Sequence, residues 1–222
     1  MKVILFGATG MVGRGVLLEC LEDSRVSRVL AIGRRSTGVQ HEKLQEILHD
    51  DFTDYADVSN NLTGFDACFF CLGVSSVGMS EERYRHITYY FTMAAGRALA
   101  AVNPGLVFCY VSAEGADSSE SGRVMWARVR GKTENDLLTL PLARAYSFRI
   151  AFVHPVKGVT PQVVWGRLFY GLLGPVHPLL SRLFPRHVTT TKNVGRAMIR
   201  AAGHGYLMSI LKSNDINTLA GM

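Results

Sequence analysis

The stretch "KVILFGATGMVGRG", residues 2–15, limits what this chain can fold into more than any other. A short apolar run ends in glycine. Gly7, Gly10 and Gly13 follow in the spacing G-x-x-G-x-x-G, and the apolar, helix-like "MVGRGVLLECLE" opens among them. A strand that turns at once into a helix needs residues without a Cβ at the turn. Such glycines also let backbone N–H groups approach an anion and let the helix pack close on the strand. The helix N-terminus then stabilises negative charge. Glycine-rich turns are common, but this one joins a first strand to a first helix within a strand–helix–strand unit. In that position it reads as the pyrophosphate loop of a dinucleotide-binding fold.

The remaining elements agree. "RVLAIG" comes next, and "LQEILHD" follows a polar turn. "FDACFFCLG" precedes a long helical stretch from about Glu81 to Val102; "GLVFCYVS" precedes the helical "SESGRVMWARVRGKTEND"; "RAYSFRI" follows it. Strands alternating with helices predict a parallel sheet covered on both faces. Right-handed crossovers then give a doubly wound, three-layer α/β/α (Rossmann) arrangement. At 222 residues, 48% hydrophobic and 19% charged, the chain is expected to form one globular domain over residues 1–222.

After residue 155 the character changes. "VVWGRLFYGLLGPVHPLLSRLF" is apolar and broken by Gly174, Pro175 and Pro178. Its longest uncharged piece, Leu168 to Ser181, is too short to span a bilayer, which takes about 20 residues. It must cover something: a substrate pocket, a partner subunit in an oligomer, or a membrane surface. A short apolar lid or interface segment within 160–188 is the expectation, because its glycines and prolines interrupt the amphipathic face that peripheral membrane contact requires. "TTTKNVGRAMIRAA" then reads as a capped helix.

The net charge of +6 suits an anionic ligand. The basic residues are scattered, so no nucleic acid is expected as partner. "MKVILFG" is too short for a signal sequence, and a cytoplasmic location is expected. Cys20, Cys68, Cys71 and Cys109 lie in apolar segments, as reduced core thiols do. Cys68 and Cys71 form a C-x-x-C inside a strand-like run, where positions three apart face opposite ways. No second Cys/His pair accompanies them, and no metal site is expected.

The end of the second strand is where an adenosine ribose is read. A site for NAD places an acid there, ~20 residues past the glycines. Here it reads "AIGRRST", with Arg34 and Arg35 and no carboxylate. Two guanidiniums, with Arg14 as a third, would bind a 2′-phosphate that an acid would repel. NADP(H) is the expected cofactor, with NAD(H) also accommodated.

These residues together resemble the atypical short-chain dehydrogenase/reductases with epimerase/dehydratase-like sequences, and within them the Tat-interacting-protein type of oxidoreductase. The resemblance is nearly full length and runs through "GATGMVGRGVLLE", "AIGRR", "FFCLGVSS", "YVSAEGAD", "RGKTE" and "VGRAMI". It implies a cofactor site of Gly7, Thr9, Gly10, Met11, Val12, Gly13 and Arg14 around the pyrophosphate and Arg34 and Arg35 at the adenosine phosphate. It further implies Asp51 and Phe52 beside the adenine, and Leu72 and Gly73 under the nicotinamide ribose. Ser112 matches the family's substrate-orienting serine. "SFRIAF" stands where relatives have an Arg-Pro-Gly turn, and Ile150 and Ala151 depart from it.

The active-site helix departs further. The family carries Tyr-x-x-x-Lys there: the tyrosine is the acid/base, and the lysine holds ribose and lowers the tyrosine's pKa. This chain puts Trp126 at the tyrosine position and Arg130 at the lysine position; a register shifted by two gives Arg128 and Lys132. An indole N–H only donates and a guanidinium stays charged, so Arg130 could grip ribose but not relay a proton. Candidates for proton transfer are then Lys132, if its pKa is strongly lowered, and His154 after the sixth strand. Glu114 is placed similarly to His154, Tyr84, Tyr89 and Tyr90 lie on the long helical stretch that starts at Glu81, and Tyr110 reads as core. The expected function is hydride transfer with a small apolar carbonyl or conjugated substrate. The rival expectation is an NADP(H)-binding sensor or interaction protein with weak catalysis.

Overall fold

The structure, a computed structural model, describes residues 1–156 and 187–221. The chain begins β1 (Lys2–Phe6), α1 (Met11–Glu22), β2 (Arg28–Gly33) and β3 (Leu44–Leu48), then a 3-10 helix (Ala56–Leu62) and β4 (Ala67–Phe70). Helix α2 (Glu81–Arg85) runs through a π-helical turn (His86–Tyr90) into α3 (Phe91–Val102). There follow β5 (Val107–Ala113), α4 (Met125–Leu137), β6 (Arg144–Ile150) and β7 (Phe152–His154). After the undescribed residues come β8 (Val188–Thr190), α5 (Thr191–His204), β9 (Ile210–Lys212) and α6 (Ser213–Gly221).

The main sheet is seven-stranded, in the order β3-β2-β1-β4-β5-β6-β9, and every pairing in it is parallel. Strands buried on both faces need near-continuous apolar sequence. Val3 to Phe6 and Ala67 to Phe70 supply it, all of them fully buried. Alternate residues feed two cores, as the period of two requires. Leu5, Phe69, Cys109 and Phe148 pack with Leu17 of α1, Met198 of α5 and Ile216 of α6. Phe6, Phe70 and Phe108 pack on the other face with Met93 and Leu99 of α3 and Leu137 of α4. Cys68 belongs to that second core while Cys71 packs against the first; all four thiols are free.

Strand order reverses at β1. From there β2 and β3 step to one side, and β4, β5, β6 and β9 to the other. The crossovers from β1 and β4 leave in opposite directions, so a crevice opens at their carboxyl ends, where ligands bind in such sheets.

Several features were not anticipated, among them the 3-10 helix, the seventh strand β9 and helix α6. The chain leaves β6 and forms a separate two-stranded parallel sheet, β7 with β8, pairing His154 with Thr190. Thr190 also caps α5, its hydroxyl accepting from the Asn193 amide at 3.0 Å. The π-helical turn breaks the expected single helix from Glu81 to Val102 into two registers. The apolar stretch 163–184, expected to act as a lid, lies outside the described residues. Among the described residues no helix is long and apolar enough to cross a membrane.

Candidate cofactor site

The crevice is built backbone on backbone. Gly7 has φ +75°, and a Cβ there would lie 2.7 Å from the carbonyl of Cys71 and the amide of Leu72. A Cβ on Gly13 would lie 2.1 Å from the Gly7 carbonyl oxygen. Neither position accepts a side chain unless the turn moves. Gly10 caps α1 without a side-chain hydrogen bond, and the first turn of α1 carries no acid. The Gly10 amide donates to the Gly7 carbonyl (2.9 Å) and the Arg14 amide to the Gly10 carbonyl (2.8 Å). The amides between them are the unsatisfied donors of a helix N-terminus, which suits them to a phosphate.

A cavity of about 190 Å³ opens beside this turn. Of the residues assigned to a cofactor from sequence, Gly7, Thr9, Gly10, Arg34, Arg35, Phe52, Leu72 and Gly73 line it. Met11, Val12, Gly13 and Arg14 form the first turn of α1, which follows Gly10, and are not among the lining residues. Asp51 precedes Phe52, but its carboxylate is taken up locally. It accepts from the Thr53 amide (2.8 Å) and hydroxyl (2.5 Å), and these bonds hold its pKa below the usual carboxylate range.

At the end expected from sequence to take the adenosine, Arg34 and Arg35 are exposed and make no hydrogen bond or ion pair among the described residues. Arg14 acts on the loop itself: its Nη1 donates to the Thr37 carbonyl at 2.8 Å. The end of the second strand carries no carboxylate, as the sequence reads, but the neighbouring strand brings one. Glu46 lines the same cavity, accepting from the Ser36 hydroxyl and the Thr37 amide, both at 2.7 Å. Burial pushes its pKa up, but the bonds from Thr37 and Ser36 and the charge of Arg14 outweigh it, and the group sits below its ordinary value. Counting residues along the second strand could not find it. Glu46 comes from β3, whose parallel register sets it beside Ala31 of β2.

At the other end, α4 carries the residues on which the proton question turned. Arg130 Nε donates to the Tyr84 hydroxyl (2.8 Å) and its Nη1 to the Val111 carbonyl (3.2 Å). A Cβ on Gly73 would lie 4.0 Å from its Nη2, so this guanidinium adjoins the cavity. Burial opposes its charge, but the oxygens of Tyr110, Tyr84 and Glu134 outweigh burial and raise its pKa. The Trp126 ring packs over the turn after β5, 3.2 Å from where a Cβ on Gly115 would stand.

Lys132 is a correction. Instead of being lowered, its pKa is raised by a hydrogen bond to Asp136 (Nζ to Oδ1, 3.2 Å). Its ammonium also lies over the Tyr89 ring, 5.5 Å from the centroid. It is an ordinary charged lysine, not a base.

Ser112 is buried, and its hydroxyl donates to Glu134 Oε1 at 2.5 Å. Glu134 is itself gripped by Arg149 through Nε (3.0 Å to Oε2) and Nη2 (2.5 Å). The serine thus belongs to a buried polar network that sequence reading did not foresee. Tyr110, on the same strand face, is core as expected, at 1% exposure. His154 sits in β7 and is not among the residues that line the cavity. Glu114 faces His187 instead, with Oε2 3.0 Å from Nδ1.

Comparison with known proteins places this geometry. Residues 3–120 match the family model described as the NAD dependent epimerase/dehydratase family. The protein "fmp52, mitochondrial" of Aspergillus niger is 28% identical over 184 residues, covering 79% of this chain and 77% of its own length. Protein HTATIP2 of Rattus norvegicus is 26% identical over 150 residues, covering 67% of this chain and 61% of its own. Among solved structures, the Bordetella bronchiseptica enzyme WbmF in complex with NAD+ superposes with a TM-score of 0.66 at 16% identity, covering 98% of this chain and 76% of that one.

Proposed function

The chain belongs to the NAD dependent epimerase/dehydratase family, and from that premise we propose an oxidoreductase that uses NADP(H) in preference to NAD(H) on a small apolar carbonyl or conjugated substrate. One observation carries the reading. A single cavity is bounded by the Gly7–Gly10 turn, by Arg34 and Arg35, and by Leu72 and Gly73. These are the groups that pyrophosphate, a 2′-phosphate and the nicotinamide half would need. Gly7 and Gly13 let the turn close backbone on backbone, which keeps the Gly10 end of α1 beside that cavity.

The uncapped N-terminus of α1 would hold the pyrophosphate. Arg34 and Arg35, with no partners in the described residues, are available for the 2′-phosphate. Glu46 works against that phosphate, but its charge is directed into the Ser36 and Thr37 donors and faces Arg14. Arg130 would grip ribose hydroxyls. When bound, the reduced cofactor supplies a hydride. The chain's own residues orient the partners, which is a large part of the work in such reactions. Neither Trp126 nor Arg130 yields a proton near neutrality, so a carbonyl oxygen would take its proton from water.

A second reading is favoured by Trp126 itself. Its ring packs on Gly115 where the family keeps an acid/base, which suits a nucleotide-binding sensor with little turnover. The test is NADPH oxidation across aldehydes, ketones, quinones and conjugated enones. Turnover that survives Trp126→Phe is the expected result. Tight NADPH binding with no oxidation by any of these classes overturns the oxidoreductase reading in favour of the sensor.

A further inference from the structure

Helices α2 and α4 lie against each other and are joined by two side-chain bridges. Arg128 Nη2 donates to Glu81 Oε2 at 2.7 Å, while its Nη1 holds the Gly122 carbonyl at 2.7 Å. From the next turn of α2, the Tyr84 hydroxyl accepts from Arg130 Nε at 2.8 Å. Tyr84 is 1% exposed and is among the largest fully buried side chains. Its ring alone would make it core. Its hydroxyl is placed on the guanidinium that adjoins the cavity beside Gly73.

A guanidinium presents five N–H donors in a rigid plane: one on Nε and two on each Nη. Here Nε is held by Tyr84 and Nη1 by the Val111 carbonyl, from two different elements. Two anchors fix the plane, and Nη2 is the nitrogen left beside Gly73 at the cavity wall. We propose that Tyr84 is a positioning residue for the cofactor: it captures Arg130 Nε and so aims Nη2 at the nicotinamide-side ribose. The proposal rests on the reading of the cavity as a dinucleotide site. It also gives a physical reason for arginine at position 130. A lysine carries its three donors on one rotatable nitrogen, so two fixed acceptors would leave it one N–H and no rigid plane to present to a ligand. The π-helical turn begins two residues after Tyr84, a device that often re-aims side chains at functional sites.

The competing account is that the phenol is only a core aromatic, in which case phenylalanine would serve equally. The experiment therefore keeps the ring. Dissociation constants are measured for NADPH and for adenosine 2′,5′-bisphosphate, which lacks the nicotinamide half. The proteins are the native chain, Tyr84→Phe, Arg130→Ala and the double variant. Losing the hydrogen bond that orients a charged donor should weaken NADPH binding roughly tenfold in Tyr84→Phe. It should weaken it no further in the Arg130→Ala background, and should leave the bisphosphate unchanged. Unchanged NADPH binding in Tyr84→Phe overturns the positioning role. Equal weakening of both ligands overturns it too, because that is general loosening of the fold. If the native chain binds neither nucleotide, the reading of the cavity falls and this inference falls with it.

Discussion

Replacing Glu134 by leucine tests the energetics of the site most sharply. Its side chain is 1% exposed, and it accepts from Ser112 Oγ at 2.5 Å and from Arg149 through Nε and Nη2. Arg149, 13% exposed, has one other side-chain partner among the described residues, the Ser118 hydroxyl at 2.5 Å. Glu134→Leu therefore leaves a largely desolvated guanidinium without its counter-charge and a buried hydroxyl without an acceptor. Removing one partner of a buried pair costs about 3–5 kcal/mol. The Ser112 penalty runs through the same carboxylate and does not add independently. For a chain of this size about 2–4 °C follows each kcal/mol, so the melting temperature should fall by about 6–20 °C. The cost arises from the stranded charge. The double variant Glu134→Leu with Arg149→Met should therefore recover most of the loss, as apolar replacements of buried ion pairs do. Urea unfolding of the native chain, both singles and the double reads this directly. A loss under about 1 kcal/mol in Glu134→Leu, or a double variant no more stable than that single, would refute the reasoning.

Other outcomes follow from the cavity. Gly13→Ala drives a Cβ to 2.1 Å from the Gly7 carbonyl, so it should weaken nucleotide binding at least tenfold and destabilise the fold by about 1–3 kcal/mol, measured by titration and thermal melts. Glu46→Gln removes the charge opposing a 2′-phosphate while keeping a carbonyl acceptor, and should raise the ratio of NADPH to NADH affinity by a few-fold in competition titrations. Glu46 has a folded pKa below its unfolded value. The stability it contributes to the Arg34–Thr37 loop is thus full above the usual glutamate range near about 4.3, and is lost only as pH falls through the lower folded value. Hydrogen exchange at the Thr37 amide, corrected for its intrinsic pH dependence, should show protection above the usual glutamate range that is lost as pH falls through the lowered folded value, with no such step in Glu46→Gln. Trp126→Phe should leave NADPH affinity within about twofold, because packing volume is largely kept and no proton relay is removed.

The centre of the sheet was legible because β1, β2, β4 and β5 are apolar runs, and because the crossovers through α1, α3 and α4 carry a helical period. The glycine spacing fixed where the crevice lies. What escaped the sequence was placed by tertiary register. Glu46 belongs to an edge strand and reaches the adenosine end only through pairing of β3 with β2. Tyr84 reads as one aromatic in a helix until α4 brings Arg130 against its hydroxyl. The expectation of a lowered Lys132 came from placing it in the site by a shifted helical register. In space it meets Asp136 one turn along its own helix, and that ion pair decides its titration. The reading that Trp126 and Arg130 stand where the family keeps its acid/base pair rests on residue type at a fixed spacing.

The central claim is that this cavity takes NADP(H) through Arg34 and Arg35. Thermal shift at equal concentrations of NADPH and NADH tests it most directly, since a ligand at a hundred times its dissociation constant stabilises by about 2.7 kcal/mol. The account predicts a larger rise in melting temperature with NADPH, and a reversed order in Arg34→Asp. Equal shifts with both nucleotides in the native protein, or no shift with either, would contradict it.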